Sequence, residues 1–165
     1  RKQKLGVKSS GEEAYVYVSV RQLQTWAARW TLAMDTQLVQ LLDALAAVDM
    51  PVSVVSSSKN AEEVLTAAGI RDRFPVVMDG VIAERDHLAS KPAPDVFVTA
   101  ARMMQVDPAR SVAVEDAISG VQSAAAGGFG LVVGVDRGAG EDALLAAGAD
   151  VVVSDLAEFV PEVSA

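Results

Sequence analysis

From Asp35 onward, short uninterrupted apolar runs alternate with longer stretches whose apolar residues recur at helical spacing. Leu38, Val39, Leu41, Leu42, Leu45 and Ala46 mark one face of a helix, which Asp49-Met50-Pro51 ends. Pro51–Val55 is a β-branched run and predicts a strand. Asn60 to Ala68 reads as a second helix with Gly69 as its stop. Val76-Val77-Met78 predicts another strand, and Val81-Ile82-Ala83 is expected to pair with it as a ribbon across Asp79-Gly80.

Pro94 and Asp95 introduce an amphipathic helix carrying Val96, Phe97, Ala100, Ala101 and Met104, and Asp107-Pro108 predicts a further helix start. Ser111–Val114 then reads as a strand, Ala117–Ala126 as a helix and Gly127-Gly128 as its stop. Leu131–Val135 is a strand, Glu141–Ala147 a helix and Val151–Val153 a last strand. Strands that are apolar throughout, separated by helices, predict an α/β fold with a parallel sheet covered on both faces.

Residues 1–34 follow a different pattern. Glu12–Val20 alternates like a half-buried strand, and Gln22–Met34 reads as a helix with Trp26 and Trp30 on one face, as core anchors or a domain contact. The chain therefore divides into an atypical N-terminal segment, 1–34, and an α/β domain, 35–165.

Composition narrows the function classes. With 51% hydrophobic residues and a mean hydropathy of +0.28, a chain of 165 residues can bury a core. Aromatics are only 5%, so that core must be built mainly from Val, Leu and Ala. A net charge of −8 argues against a nucleic-acid surface. The absence of cysteine excludes disulfides, thiolate metal sites and a cysteine nucleophile. No apolar run approaches the roughly 18 residues of a membrane span, and Arg1-Lys2-Gln3-Lys4 leads into no apolar signal core. A cytoplasmic location is the expectation. Because Arg1 is not an initiator methionine, the chain is also expected to be part of something longer.

Three strand or loop ends carry candidate chemistry. Glu115 and Asp116 close the Ser111–Val114 run and stand before a small-residue helix, where open α/β sheets bind ligands. Two carboxylates there suit a hard cation such as Mg²⁺. Ser56-Ser57-Ser58-Lys59-Asn60 ends one strand with hydroxyls and opens a helix, as an anion site would. In Ser90-Lys91-Pro92-Ala93-Pro94-Asp95, two prolines stiffen the backbone beside Lys91, so that its ammonium can hold one position.

The Ser-Ser-Ser-Lys-Asn, Ser-Lys-Pro-Ala-Pro-Asp and Val-Glu-Asp-Ala-x-Ser-Gly-Val-Gln-Ser-Ala segments, over residues 36–160, resemble three motifs of the haloacid dehalogenase superfamily. The likeness is greatest to its β-phosphoglucomutase-like branch of sugar-phosphate phosphatases and mutases. The resemblance implies a three-layer Rossmann-like core and Mg²⁺-dependent phosphoryl transfer on a small phosphorylated sugar. By position, Ser56 would hydrogen-bond the transferring phosphoryl group and Lys91 would neutralise its charge. Glu115 and Asp116 would hold Mg²⁺, Asp116 being the surer ligand. Ser58, Lys59 and Asn60 would bind the substrate's phosphate.

The family's first motif, Asp-x-Asp-Gly, which supplies the nucleophile at the end of the first core strand, occurs nowhere in the chain. Val77 stands two residues before Asp79-Gly80, and Gln37 two residues after Asp35, so neither place restores it. A core without its first strand and most of its cap is the expectation, with little or no turnover. The alternative is a non-catalytic binding module in which Tyr15–Val20 fills the central place in the sheet.

Other features read as structural. Gly127-Gly128-Phe129-Gly130 precedes a strand instead of opening a helix, so it is no dinucleotide fingerprint. His87 is the one histidine, which leaves no triad. Asp136-Arg137-Gly138 reads as a loop at the rim.

Overall fold

The computed structural model describes the backbone of residues 15–19 and 36–159 and the side chains of 38–159. The predicted helix 22–34, with both tryptophans, lies outside the described residues. Six parallel strands form one sheet: β1 (Tyr15–Ser19), β2 (Val52–Val55), β3 (Val77–Met78), β4 (Ser111–Glu115), β5 (Leu131–Val135) and β6 (Val151–Val153), in the order β3-β2-β1-β4-β5-β6. Among the described residues, six α-helices accompany them: α1 (Thr36–Ala46), α2 (Ala61–Ala67), α3 (Gly80–Arg85), α4 (Asp95–Met103), α5 (Ile118–Ala126) and α6 (Glu141–Ala146).

The central place is filled. β1 pairs on one side with β2, Val18 against Val54, and on the other with β4, Val18 against Val114. The sheet therefore has a core strand where truncation would have left a gap, and that strand comes from the segment set apart as 1–34. From β1 the chain winds outward to β2 and β3 on one side and to β4, β5 and β6 on the other. The order reverses between β1 and β4, and the crevice outside the carboxyl ends of strands at such a switch point is where ligands bind.

Side-chain alternation along the strands builds two cores. Val54, Val77, Val114 and Val133 face the layer of α1 and α2, packing with Leu38, Leu42, Leu65 and Phe74. Val55, Met78, Ala113 and Val132 face the other layer, packing with Phe97 and Ala101 of α4, Val121 and Ala124 of α5, and Leu144 of α6. Glu115 follows Ala113 by two positions, so the period of the strand carries it toward the α4 and α5 layer. That parity decides where its carboxylate goes.

Two local readings are corrected. Gly80–Arg85 is a helix and not a ribbon strand, because the buried Asp79 carboxylate caps it, Oδ1 accepting from Val81 N at 3.0 Å and Ile82 N at 2.9 Å. Asp107-Pro108 opens only a single 3₁₀ turn, Pro108–Arg110, whose chain then enters β4 directly. The helix stops at Gly69 and Gly128 are as read, with φ of 69° and 72°.

Candidate functional site

β2 and β4 end at the same edge of the sheet, with β1 between them, which sets their ends about 10 Å apart. Ser56 follows β2 directly. It is buried, its N–H donates to Met78 O at 2.8 Å, and its Oγ accepts from Ser58 N at 3.1 Å. A hydroxyl oxygen that accepts in this way keeps its own proton to donate.

The Ser58-Lys59-Asn60 turn leads into α2, and each of its members faces water at least in part. Ser58 Oγ bonds Asn60 Oδ1, and Gly80 N donates to Ser58 O at 3.0 Å. A Cβ at Gly80 would lie 2.7 Å from Ser57 O, so only glycine lets α3 approach the turn this closely. Lys59 reaches the exposed Glu84 on α3 at 2.7 Å.

Lys91 comes from the loop between α3 and α4. Its Nζ donates to Glu115 Oε1 at 2.5 Å and lies 4.9 Å from the centre of the Phe97 ring. Phe97 is itself fully buried and meets Phe129 edge-to-face, the ring centres 5.5 Å apart. The loop around the lysine is closed at both ends. Ala93 N donates to Ser90 O at 3.0 Å, and the Asp95 carboxylate accepts from Ala89 N at 3.0 Å. The Lys91-Pro92 peptide is cis.

Glu115 is the most committed group of the site. Its Oε1 takes the lysine, while Oε2 accepts from Asp116 N at 2.9 Å and Ala117 N at 2.8 Å. It thus shapes the turn that carries Asp116 off the strand end. Asp116, half-buried with Oδ1 out of reach of solvent, continues past the strand toward the edge of the sheet. The Asp116 carboxylate is a hard oxygen donor of the kind Mg²⁺ prefers. Both Glu115 oxygens are engaged by Lys91 and the turn amides, so the pair read from the sequence as two ligands does not offer two equivalent ones. Among the described residues, no cluster of three His, Cys, Asp or Glu side chains is arranged to hold a metal.

At the rim, the Asp136 carboxylate beyond β5 accepts from Gly138 N at 2.9 Å and Gly140 N at 3.0 Å. The bonds from Gly140 and then Gly138 hold its pKa below the usual carboxylate value. No helix among the described residues is long and apolar enough to cross a membrane.

The structure joins Lys91 directly to Glu115 and sets Ser56, Ser58, Lys59, Asn60 and Asp116 along the same edge. Sequence reasoning placed Asp95 and Phe97 on a helix but gave neither them nor Gly120 or Ser123 a part in the site. Their signal was helical spacing: Gly120 and Ser123 stand one turn apart behind the acidic pair.

The model of the haloacid dehalogenase-like hydrolases matches residues 5–128. A β-phosphoglucomutase of Mycobacterium bovis is 46% identical over 123 residues, 72% of this chain and 47% of that protein. A trehalose-phosphate phosphatase of Mycobacterium leprae is 35% identical over 133 residues, 76% of this chain and 29% of that protein. The chain thus spans about half, or less, of the length of these curated relatives. The crystal structure of a β-phosphoglucomutase from Clostridium difficile superposes with a TM-score of 0.69 at 18% identity, covering 90% of this chain and 93% of that one, which is a likeness of fold. With three quarters of its length matched, the chain belongs to the haloacid dehalogenase-like hydrolases.

Proposed function

We propose that this domain binds a small phosphorylated sugar at the carboxyl edge of its sheet and serves Mg²⁺-dependent phosphoryl transfer, as a sugar-phosphate phosphatase or a β-phosphoglucomutase-like mutase. The observation that carries the reading is the buried Lys91–Glu115 pair opposite Ser56, which offers a fixed cation and a hydroxyl donor at one edge. The relatives' names, a phosphoglucomutase and a trehalose-phosphate phosphatase, support a phosphorylated sugar as the class of substrate.

In this reading Ser56 donates to a phosphoryl oxygen, and Lys91 neutralises charge on the same group from the far side of the crevice. Ser58, Lys59 and Asn60 hold a phosphate at the mouth of the site. Asp116, with Glu115 behind it, would hold Mg²⁺. When bound, that ion supplies positive charge to the phosphoryl oxygens. With both Glu115 oxygens already engaged, Asp116 is the carboxylate to meet the ion, a partial ligand set that suits a cation keeping waters and taking phosphate oxygens.

Transfer by covalent catalysis needs a nucleophile, and the sequence holds no Asp-x-Asp pair. We therefore infer that turnover by this chain is low. A second reading has its own support: β1, the central strand, carries no acid. A strand of that kind suits a binding module that keeps the phosphate site and lacks the chemistry.

Calorimetry with glucose 1-phosphate tests the function. Mg²⁺-dependent binding that is lost in Asp116→Asn and weakened in Lys91→Ala is the expected result. Binding indifferent to both substitutions would overturn it. A phosphate-release assay then separates the readings: slow Mg²⁺-dependent release favours the enzyme, and saturable binding with none favours the module.

A further inference from the structure

We propose that Ser123, on α5, is a positioning residue that fixes Lys91 through the backbone carbonyl of Ala93, resting on the reading that Lys91 meets a phosphoryl group. Ser123 Oγ donates to Ala93 O at 2.6 Å, and Ser123 is fully buried. A serine inside a helix ordinarily bonds back to a carbonyl one turn earlier in its own helix. This one reaches across to a loop instead. Alanine would fill the position with better helix propensity and no polar group to bury. The hydroxyl is there for the bond.

The bond matters to Lys91 because the chain between them is stiff. Pro92 and Pro94 have ring-fixed φ angles, and a residue before proline has few conformations of its own. Holding the carbonyl of Ala93 therefore fixes where the lysine's Cα stands. The other end of the same lysine is referenced to the same helix. Gly120, one turn before Ser123, makes room for the Glu115 carboxylate that takes the ammonium; a Cβ there would fall 2.0 Å from its carbon Cδ. One helix thus sets both ends of Lys91, the backbone through Ser123 and the ammonium through the space at Gly120. Phe97 below the ammonium supplies a spectroscopic reporter, since a group over an aromatic face is shifted by its ring current.

The test is NMR of the full chain with Lys91 assigned, together with titration of inorganic phosphate. Ser123→Ala is expected to keep the dispersed spectrum of a folded protein while the Lys91 ε-methylene signal moves toward that of free lysine. Phosphate affinity is expected to fall about tenfold or more, by analogy with the roughly 10²-fold that a misplacement of about 1 Å can cost at a reacting centre. Ser123→Thr, which keeps the hydroxyl, should restore both. A Lys91 signal unchanged in Ser123→Ala would overturn the proposal, and so would a Ser123→Thr variant that behaves like Ser123→Ala. If Ser123→Ala does not fold, Ser123→Cys, with a weaker donor, gives the same decision from the same signal. Failure of the wild-type chain to bind phosphate would sink the functional reading, while the Lys91 signal alone still decides the role of Ser123.

Discussion

Lys91 Nζ lies 2.5 Å from Glu115 Oε1, and the two side chains are only 10% and 1% exposed. Charges so far from water depend on each other, because removing one leaves the other buried and uncompensated.

Lys91→Ala should therefore destabilise the domain by about 3–5 kcal/mol, far more than loss of a surface lysine. The double variant Lys91→Met with Glu115→Gln should recover much of that loss, since neither group is then charged. Urea unfolding of the wild type, Lys91→Ala and the double variant measures both values, and equal stability of single and double variants would contradict the dependence.

Gly120→Ala should cost about 1–3 kcal/mol, the range for overpacking a filled interior, although alanine is the better helix former. The added methyl collides with Glu115, so the same substitution should cost much less in a Glu115→Ala background. A double-mutant cycle reads the coupling directly. Additive effects would mean that the methyl is accommodated elsewhere.

Much of this architecture was legible in the chain. β2, β4 and β5 are valine-rich runs, β2 broken only by the buried Ser53, each ended by polar residues, and that pattern has few other solutions. Val81-Ile82-Ala83 misled because three apolar residues after a strand look like another strand, whereas the Asp79 carboxylate two residues ahead starts a helix. Tyr15–Ser19 was readable as a strand, and the binding-module reading gave it the central place in the sheet, but its register against Val54 and Val114 leaves no local trace in the sequence. The site divides in the same way. Ser56, Lys91, Glu115 and Asp116 stand out as polar groups at strand and loop ends. The parts played by Gly120 and Ser123 depend on distances of a few ångströms between separate elements, which spacing alone does not encode.

Val18→Pro should abolish cooperative folding. Val18 pairs with Val54 on one side and Val114 on the other, and proline in a central strand removes a ladder donor where no water can replace it. Hydrogen exchange offers a gentler check: the amides of Tyr15–Ser19 should be among the slowest in the chain. Rapid exchange there would argue against a central β1.

Asp136 should make stability depend on acid. Its bonds from Gly140 and Gly138 lower its pKa in the folded state below the ordinary 3.8. The stabilisation is therefore complete above that value and is lost as the pH falls through the lower folded-state pKa. Asp136→Ala should lower the melting temperature at pH 7 and make progressively less difference as the pH is taken below 3.8. A gap between the two melting curves that stays constant with pH would show that another property of the side chain is responsible.

The central strand also sets the order of events when the chain folds. Tyr15 pairs with Ser111, a partner most of the described chain away, and the same strand bridges Val52–Val55. Local contacts can assemble β2 with β3, and β4 with β5 and β6, but these two halves of the sheet share no edge of their own. Joining them requires closing a long loop onto a five-residue strand, a step that topology makes slow. Until β1 docks, both halves carry an open strand edge, so the interval before that step is when the chain is most exposed to association with its own copies.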